Sequence, residues 1–263
     1  MRLGKIEEGK IKRIEIMKNR LKNIAESRNV NILFACESGS RAWGFASPDS
    51  DYDVRFIYTK PLEWYLSILE KKDTIDIMDG DFDAVGWELK KQLKLMMKSN
   101  VPALEHLFSP IIYQGNTALI NEMRAIGLEC FSPIKSMFHY LSMSKKYEEK
   151  LHKEEIKLKD LFYALRTSLA GKWILENNSL PPVIFEKMLY LVDENIENEI
   201  RHLIKIKSEK GEGYLHPKNI KVVNLVSEVI TKNNKFAKTL PSGKPNTERI
   251  NSFLFKIVTN ENN

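Results

Sequence analysis

Two cysteines, Cys36 and Cys130, are all that the 263-residue chain contains. They are too few for a disulfide framework, and neither belongs to a Cys-x-x-Cys pair of the kind that binds metal, so both read as free thiols. The five histidines, at 106, 139, 152, 202 and 216, stand at no zinc-ligand spacing either. No stretch approaches the roughly 20 consecutive apolar residues of a membrane span. The opening Met1-Arg2-Leu3-Gly4-Lys5 leads into a charged amphipathic segment, unlike a signal peptide. These absences point to a cytoplasmic protein with no membrane partner. Aspartate is also missing from residues 201 to 263, where twelve Lys and Arg face five Glu. That quarter carries +7 and residues 1 to 200 carry −1, so the formal charge of +6 is a property of the C-terminal end. A polyanionic partner such as RNA and a lysine-rich solvated helical surface both account for such a bias.

What is present is an ordinary globular composition, 43% hydrophobic and 29% charged, with length for one large domain or two modest ones. Ile14, Met17, Leu21 and Ile24 recur at three- and four-residue steps, which predicts an amphipathic helix from about Ile6 to Ser27. Residues 31–36 read as a buried strand, Gly39 to Ser50 as turn chemistry, and Tyr52 to Tyr58 as a second strand. A helix over Leu62 to Leu69 follows, then strands over Thr74 to Met78 and Phe82 to Val85, then a helix from Trp87 to Lys98. After Pro110 the pattern turns helical: Leu119 to Leu128, Pro133 to Leu175, Ile184 to Leu191, Ile196 to Ile206, Ile220 to Ile230 and Glu248 to Val258. The polar tail 260–263 reads as frayed. The expected fold class is therefore α+β, a mixed sheet with flanking helices over residues 1–115, followed by an all-α domain over residues 116–263.

The crowded stretch is Ser38 to Tyr58, where Asp49, Asp51 and Asp53 stand immediately before a run that wants to be buried sheet. In a strand, side chains at i and i+2 share a face about 7 Å apart, so Asp51 and Asp53 project together and repel unless a cation lies between them. A solvated turn closed by Asp49 and Ser50 is the plain alternative. A calcium loop is excluded, because its sixth and twelfth positions, Gly and Glu, are Val54 and Lys60 here. A serine-hydrolase elbow is excluded too, because the glycines it needs are Ser38 and Ala42. Ser38-Gly39-Ser40 is a small, flexible turn at a strand end, where backbone N–H groups can approach a phosphate.

Gly39-Ser40 followed by Asp51-x-Asp53 resembles the signature of the polymerase-β-type nucleotidyltransferases. The longer string from Gly39 to Phe45 and from Ser47 to Arg55 resembles the RNA-ligase-associated branch, as do Asp81 to Lys91 and Lys159 to Arg166. The likeness spans roughly residues 30 to 190, with three motifs in order. It implies a nucleotidyltransferase-type sheet and transfer of a nucleoside monophosphate from NTP to a hydroxyl. Two Mg²⁺ ions about 4 Å apart would be held by Asp51, Asp53 and a third carboxylate, Asp83, with Asp81 as fallback. Gly39 and Ser40 would cradle phosphates, with Arg41 beside them. Lys159 and Arg166, seven apart on a helical run, would reach the triphosphate from the helical domain, a surface salt bridge being the alternative for each. Arg55 is a weaker candidate for phosphate. Trp43, Phe45 and Trp87 fit base stacking or core. The acceptor stays open between RNA, a protein side chain and a small molecule such as an aminoglycoside, and a catalytically silent nucleotide-binding protein is the further alternative.

Overall fold

The computed structural model describes residues 2–259, with side chains from Arg13 onward; the tail expected to fray lies outside the described residues. The first part of the chain runs α1 (Arg2–Arg28), β1 (Asn31–Glu37), α2 (Gly39–Trp43), β2 (Tyr52–Thr59), α3 (Leu62–Tyr65), β3 (Thr74–Asp79), β4 (Phe82–Glu88), α4 (Leu89–Met97), α5 (Val101–Glu105), β5 (Ile112–Gly115) and α6 (Thr117–Cys130). The remainder is α7 (Pro133–Glu148), β6 (Glu155–Lys157), α8 (Leu158–Asn177), α9 (Glu194–Glu209), β7 (Leu215–Pro217), α10 (Ile220–Phe236) and α11 (Thr247–Val258).

The strands β1 to β5 form one mixed sheet in the order β3-β4-β2-β1-β5. Only β2 and β4 run parallel, in a register that sets Asp53 opposite Asp83; the other pairs are antiparallel. Alternation along the strands explains the two faces. Val54, Phe56, Tyr58, Phe82 and Ala84 share a cluster with Met17, Leu21 and Ile24 of α1, the residues whose three- and four-residue spacing announced that helix. Phe34, Cys36 and Ile57 face the other way, under Leu89, Leu93 and Met96 of α4, Ile120, Met123 and Ile126 of α6, and Ile250 and Phe253 of α11. Asp53 and Arg55 have the same parity as Ile57, so they continue this second face toward the strand's start, where the apolar cover gives way.

A third cluster fills the helical part, built from α7 (Met137, Tyr140, Leu141), α8 (Phe162, Leu165, Leu169) and α10 (Val222, Val226, Ile230). Phe45, just beyond α2, belongs to it and is 1% exposed. Its ring stacks on Phe162 at 5.1 Å and meets Phe185 edge-on at 5.5 Å. Burying such a side chain contributes about 1.5–3 kcal/mol, so the loop carrying the motif is anchored in the helical part of the molecule. Phe45 is thus core; Trp43 and Trp87 are half-buried against cluster edges. Both cysteines are buried free thiols.

Several elements differ from the sequence expectation. Gly39 to Trp43 is a short helix inside the stretch read as turn. The helix expected over Leu62 to Leu69 stops at Tyr65, and Leu66, Ile68 and Leu69 stay exposed because no neighbouring element covers them. The run from Pro133 to Leu175 is interrupted by a 3₁₀ turn at Glu149–Leu151 and by β6, which pairs with the distant β7. Residues Phe185–Leu191 form a 3₁₀ helix. Trp87 lies inside β4, and Glu88, the last residue of that strand, caps α4 by accepting the Lys90 and Lys91 N–H groups. β5, four residues at the sheet edge, and α5, capped by Asn100, were not anticipated.

Candidate active site

The site is built where β1 and β2 meet at one end of the sheet. The Ser38 N–H donates to the Asp53 carbonyl at 2.8 Å. Gly39 then turns the chain at φ +60°, a conformation that disfavours any side chain. A Cβ at Gly39 would lie 2.0 Å from Asp53 Oδ2, so the missing side chain is what lets the carboxylate lie against the turn. Gly39→Ala is expected to cut activity by about 100-fold or more, because it displaces Asp53 by on the order of 1 Å. Thermal unfolding alongside the assay checks it: loss of activity should exceed loss of fold.

Asp53 and Asp83 share one guanidinium. Arg55 donates from Nη2 to Asp53 Oδ1 at 3.2 Å and to Asp83 Oδ2 at 2.9 Å. Burial raises the Asp53 carboxyl above its ordinary range and Arg55 pulls it back, while Asp83 and Asp51 push it up further. Asp51 is exposed, one residue before β2, and Asp81 is exposed in the β3–β4 turn, where its carbonyl accepts the Tyr52 N–H at 2.7 Å. Among the described residues no three His, Cys, Asp or Glu side chains converge as a preformed cation site. The donor set is nonetheless of the right chemistry: acceptor-only carboxylates in register on adjacent strands, with a side-chain cation between two of them.

Glu37 lies beneath this pair and escaped the sequence reading, which ended β1 at Cys36. It is fully buried, accepts the Asp53 N–H at 2.7 Å through Oε1, and accepts the Tyr113 hydroxyl through Oε2. Burial pushes its carboxyl up to about 7, against the hydrogen bonds from Tyr113 and Asp53. A charged residue closing an otherwise apolar strand was the available signal.

The basic candidates separate. Lys159, in the first turn of α8, reaches Glu212 Oε2 at 2.6 Å. Burial lowers its ammonium, but the hydrogen bond and charge of Glu212 and the nearby Asp51 outweigh that and hold it above its usual value. Arg41 donates to the carbonyls of Asp51 at 3.0 Å and Ser50 at 2.5 Å and lies 4.1 Å over the Tyr52 ring, which shapes the motif loop. Ser40 donates to Ser50 Oγ at 3.2 Å. Arg166 is 2% exposed and is not presented to a cleft. It pairs with Glu105 at 2.7 Å, an acceptor shared with the Tyr140 hydroxyl at 2.6 Å, and its guanidinium lies 4.3 Å over Trp43. Tyr163, one turn along α8 from Lys159, meets Trp43 edge-on at 5.0 Å, and burial, then the charge of Asp53, pushes its phenol up.

A mixed sheet carrying facing aspartates beside a Gly-Ser turn, followed by a helical part, is the arrangement that the resemblance to the polymerase-β-type nucleotidyltransferases implies. Residues 14–256 match the RNA repair pathway DNA polymerase beta family, and the chain belongs to that family. An uncharacterized protein of Bacillus subtilis (strain 168), YcgL, is 37% identical over 243 residues, covering 90% of this chain and 94% of its own. The solved structure of a nucleotidyltransferase-like protein from Exiguobacterium sibiricum aligns over 94% of this chain and 81% of its own, at 8% identity and a TM-score of 0.29. No helix among the described residues is long and apolar enough to cross a membrane.

Proposed function

We propose that the chain moves a nucleoside monophosphate from an NTP to a hydroxyl of RNA, releasing pyrophosphate. The observation that carries this reading is the Asp53–Asp83 pair, in register across the parallel strands and bridged by Arg55, with Gly39 bare against Asp53. Asp51, Asp53 and Asp83 are the residues that would hold Mg²⁺, which when bound neutralises the triphosphate and polarises the α-phosphorus. The chain's own part is to bind and orient. The Gly39 turn gives backbone N–H groups and Ser40 a hydroxyl to the phosphates, and Lys159 adds a positive charge from the helical module. Arg55 keeps the carboxylates from repelling one another before the substrate arrives.

RNA as acceptor is supported by the family's description and by the +7 of residues 201–263. Lys232, Lys235 and Lys238, all exposed at and beyond the end of α10, are the test of that surface. Changing the three to Gln should weaken RNA binding and flatten its log–log salt dependence by about two, at ~0.7 per lost single-strand phosphate contact. An unchanged slope removes this surface from the RNA reading. The acceptor itself is decided by offering α-labelled NTPs with RNA, protein and aminoglycoside acceptors. Label on RNA, with pyrophosphate released, is the expected result. Label on a protein or on the small molecule reassigns the acceptor, and NTP binding without any transfer overturns the enzyme reading.

A further inference from the structure

The phosphate-side residues already hold an anion, and it belongs to the chain itself. Glu212, in the loop joining α9 to β7, uses both carboxylate oxygens. Oε1 accepts the Ser50 hydroxyl at 3.0 Å and Oε2 accepts Lys159 Nζ at 2.6 Å. Ser50 is in turn the acceptor for Ser40, so a hydrogen-bond chain runs from the Gly-Ser turn to this loop. A hydroxyl and an ammonium converging on a carboxylate make the arrangement that a phosphate oxygen would otherwise complete.

The loop is attached in two unequal ways. Its stem is fixed: Lys207, 2% exposed in the last turn of α9, donates to Ser47 Oγ at 2.7 Å. Its tip is held by groups that water reaches. The Glu212 N–H donates to the exposed Asp49 carboxylate at 2.9 and 3.1 Å, and the side chains of Lys159 and Glu212 are 39% and 26% exposed. Ion pairs of that exposure are weak, so the tip is released at little cost. Glycines flank it on both sides. A Cβ on Gly211 would lie 2.8 Å from Asp49 Oδ2 and would push that exposed carboxylate away from the loop, and Gly213 has open space around it.

We propose that Glu212 is an internal stand-in for a phosphate group: the loop latches onto the triphosphate side of the site in the resting protein, and the incoming nucleotide displaces it. The inference rests on the nucleotidyltransferase reading and adds a self-inhibiting contact to that site. The latch holds Lys159 in place without a substrate and reduces apparent affinity by the fraction of molecules in which it is closed. It also favours ligands with several phosphates, which regain more contacts than the one carboxylate they replace.

The test is Glu212→Gln, which preserves the shape of the side chain and removes its charge, with binding of inorganic tripolyphosphate and of Mg²⁺-NTP measured by calorimetry. The variant should bind both roughly three- to tenfold more tightly, the gain expected from freeing a weakly closed site. Asp49→Ala, which frees the loop backbone without touching Lys159, should move affinity in the same direction. In the parent, Mg²⁺-NTP should speed tryptic cleavage after Lys210 as the tip swings out. Unchanged affinity in both variants overturns the latch. Weaker binding in Glu212→Gln overturns it too, making Glu212 a positioning residue for Lys159. A parent that binds NTP beside variants that bind no better sinks the latch alone. A parent blind to NTP whose Gln variant gains tripolyphosphate affinity sinks the nucleotide reading and leaves the latch standing.

Discussion

Asp53→Asn is expected to reduce nucleotidyl transfer to background and to abolish the stabilisation that Mg²⁺-NTP confers, while leaving the ligand-free protein as stable as the parent or slightly more so. The side chain keeps its shape and loses one anionic donor. Its carboxylate is half-buried beside Asp83 and Asp51, and the countercharge bonded to it among the described residues is Arg55, which remains bonded to Asp83 in the variant. Removing the charge therefore relieves repulsion in the free protein and removes attraction only when a cation is present. A ligand at 100 times its Kd contributes about 2.7 kcal/mol to the folded state, which for a chain of this size raises Tm by roughly 5–10 °C. Melting curves with and without Mg²⁺-NTP decide the matter. A variant that gains as much as the parent would make these aspartates turn formers and end the metal-assisted reading.

Arg166→Ala is expected to cost about 3–5 kcal/mol of stability, because it leaves Glu105 charged inside the protein with Tyr140 as its remaining partner. Trp43 loses the cation over its ring at the same time. Replacing both charges, Arg166→Met with Glu105→Gln, should recover most of the loss, since a well-packed neutral pair avoids the desolvation that the ion pair must offset. Urea unfolding of the single and double variants gives the comparison. If the double variant is stable but its affinity for NTP has fallen sharply, the guanidinium serves the triphosphate after all, and the placement against Glu105 is a resting arrangement.

The fate of Arg166 shows what spacing on a helix does and does not reveal. Seven residues are close to two full turns, so Lys159 and Arg166 lie near one face, as their spacing indicates. They are also about 10 Å apart along the axis at 1.5 Å per residue. Lys159 therefore stands at the rim, and Arg166 lies two turns deeper, where α7 and α5 close over it. Periodicity reports direction around a helix and is silent on depth. The strand that carries Asp53 was legible for the opposite reason. Asp53, Arg55 and Ile57 obey the period of two that any strand imposes, and the glycine at position 39 announced a close approach that only the third dimension could identify as Asp53. Glu212 was beyond reach, since its partner Ser50 is 162 residues away and nothing local to Lys210-Gly211-Glu212-Gly213 distinguishes a latch from a linker. The exposed loop after Tyr65 failed as a helix because apolar residues promise burial only when another element arrives to cover them.

The position of α11 has a consequence for how the protein comes into being. Ile250 and Phe253 complete the apolar cover over the sheet's second face, and the helix is tied to α6 by Arg249 with Glu129 and by Lys256 with Glu122, the latter at 2.9 Å. A chain emerging from the ribosome can make the five strands early. It must then carry Leu89, Leu93 and Phe34 incompletely covered until residue 253 has left the exit tunnel, through the whole synthesis of the helical module. The sheet that presents the aspartates thus keeps part of its apolar cover open until α11 docks, and a chain stalled before α11 would be a client for chaperones.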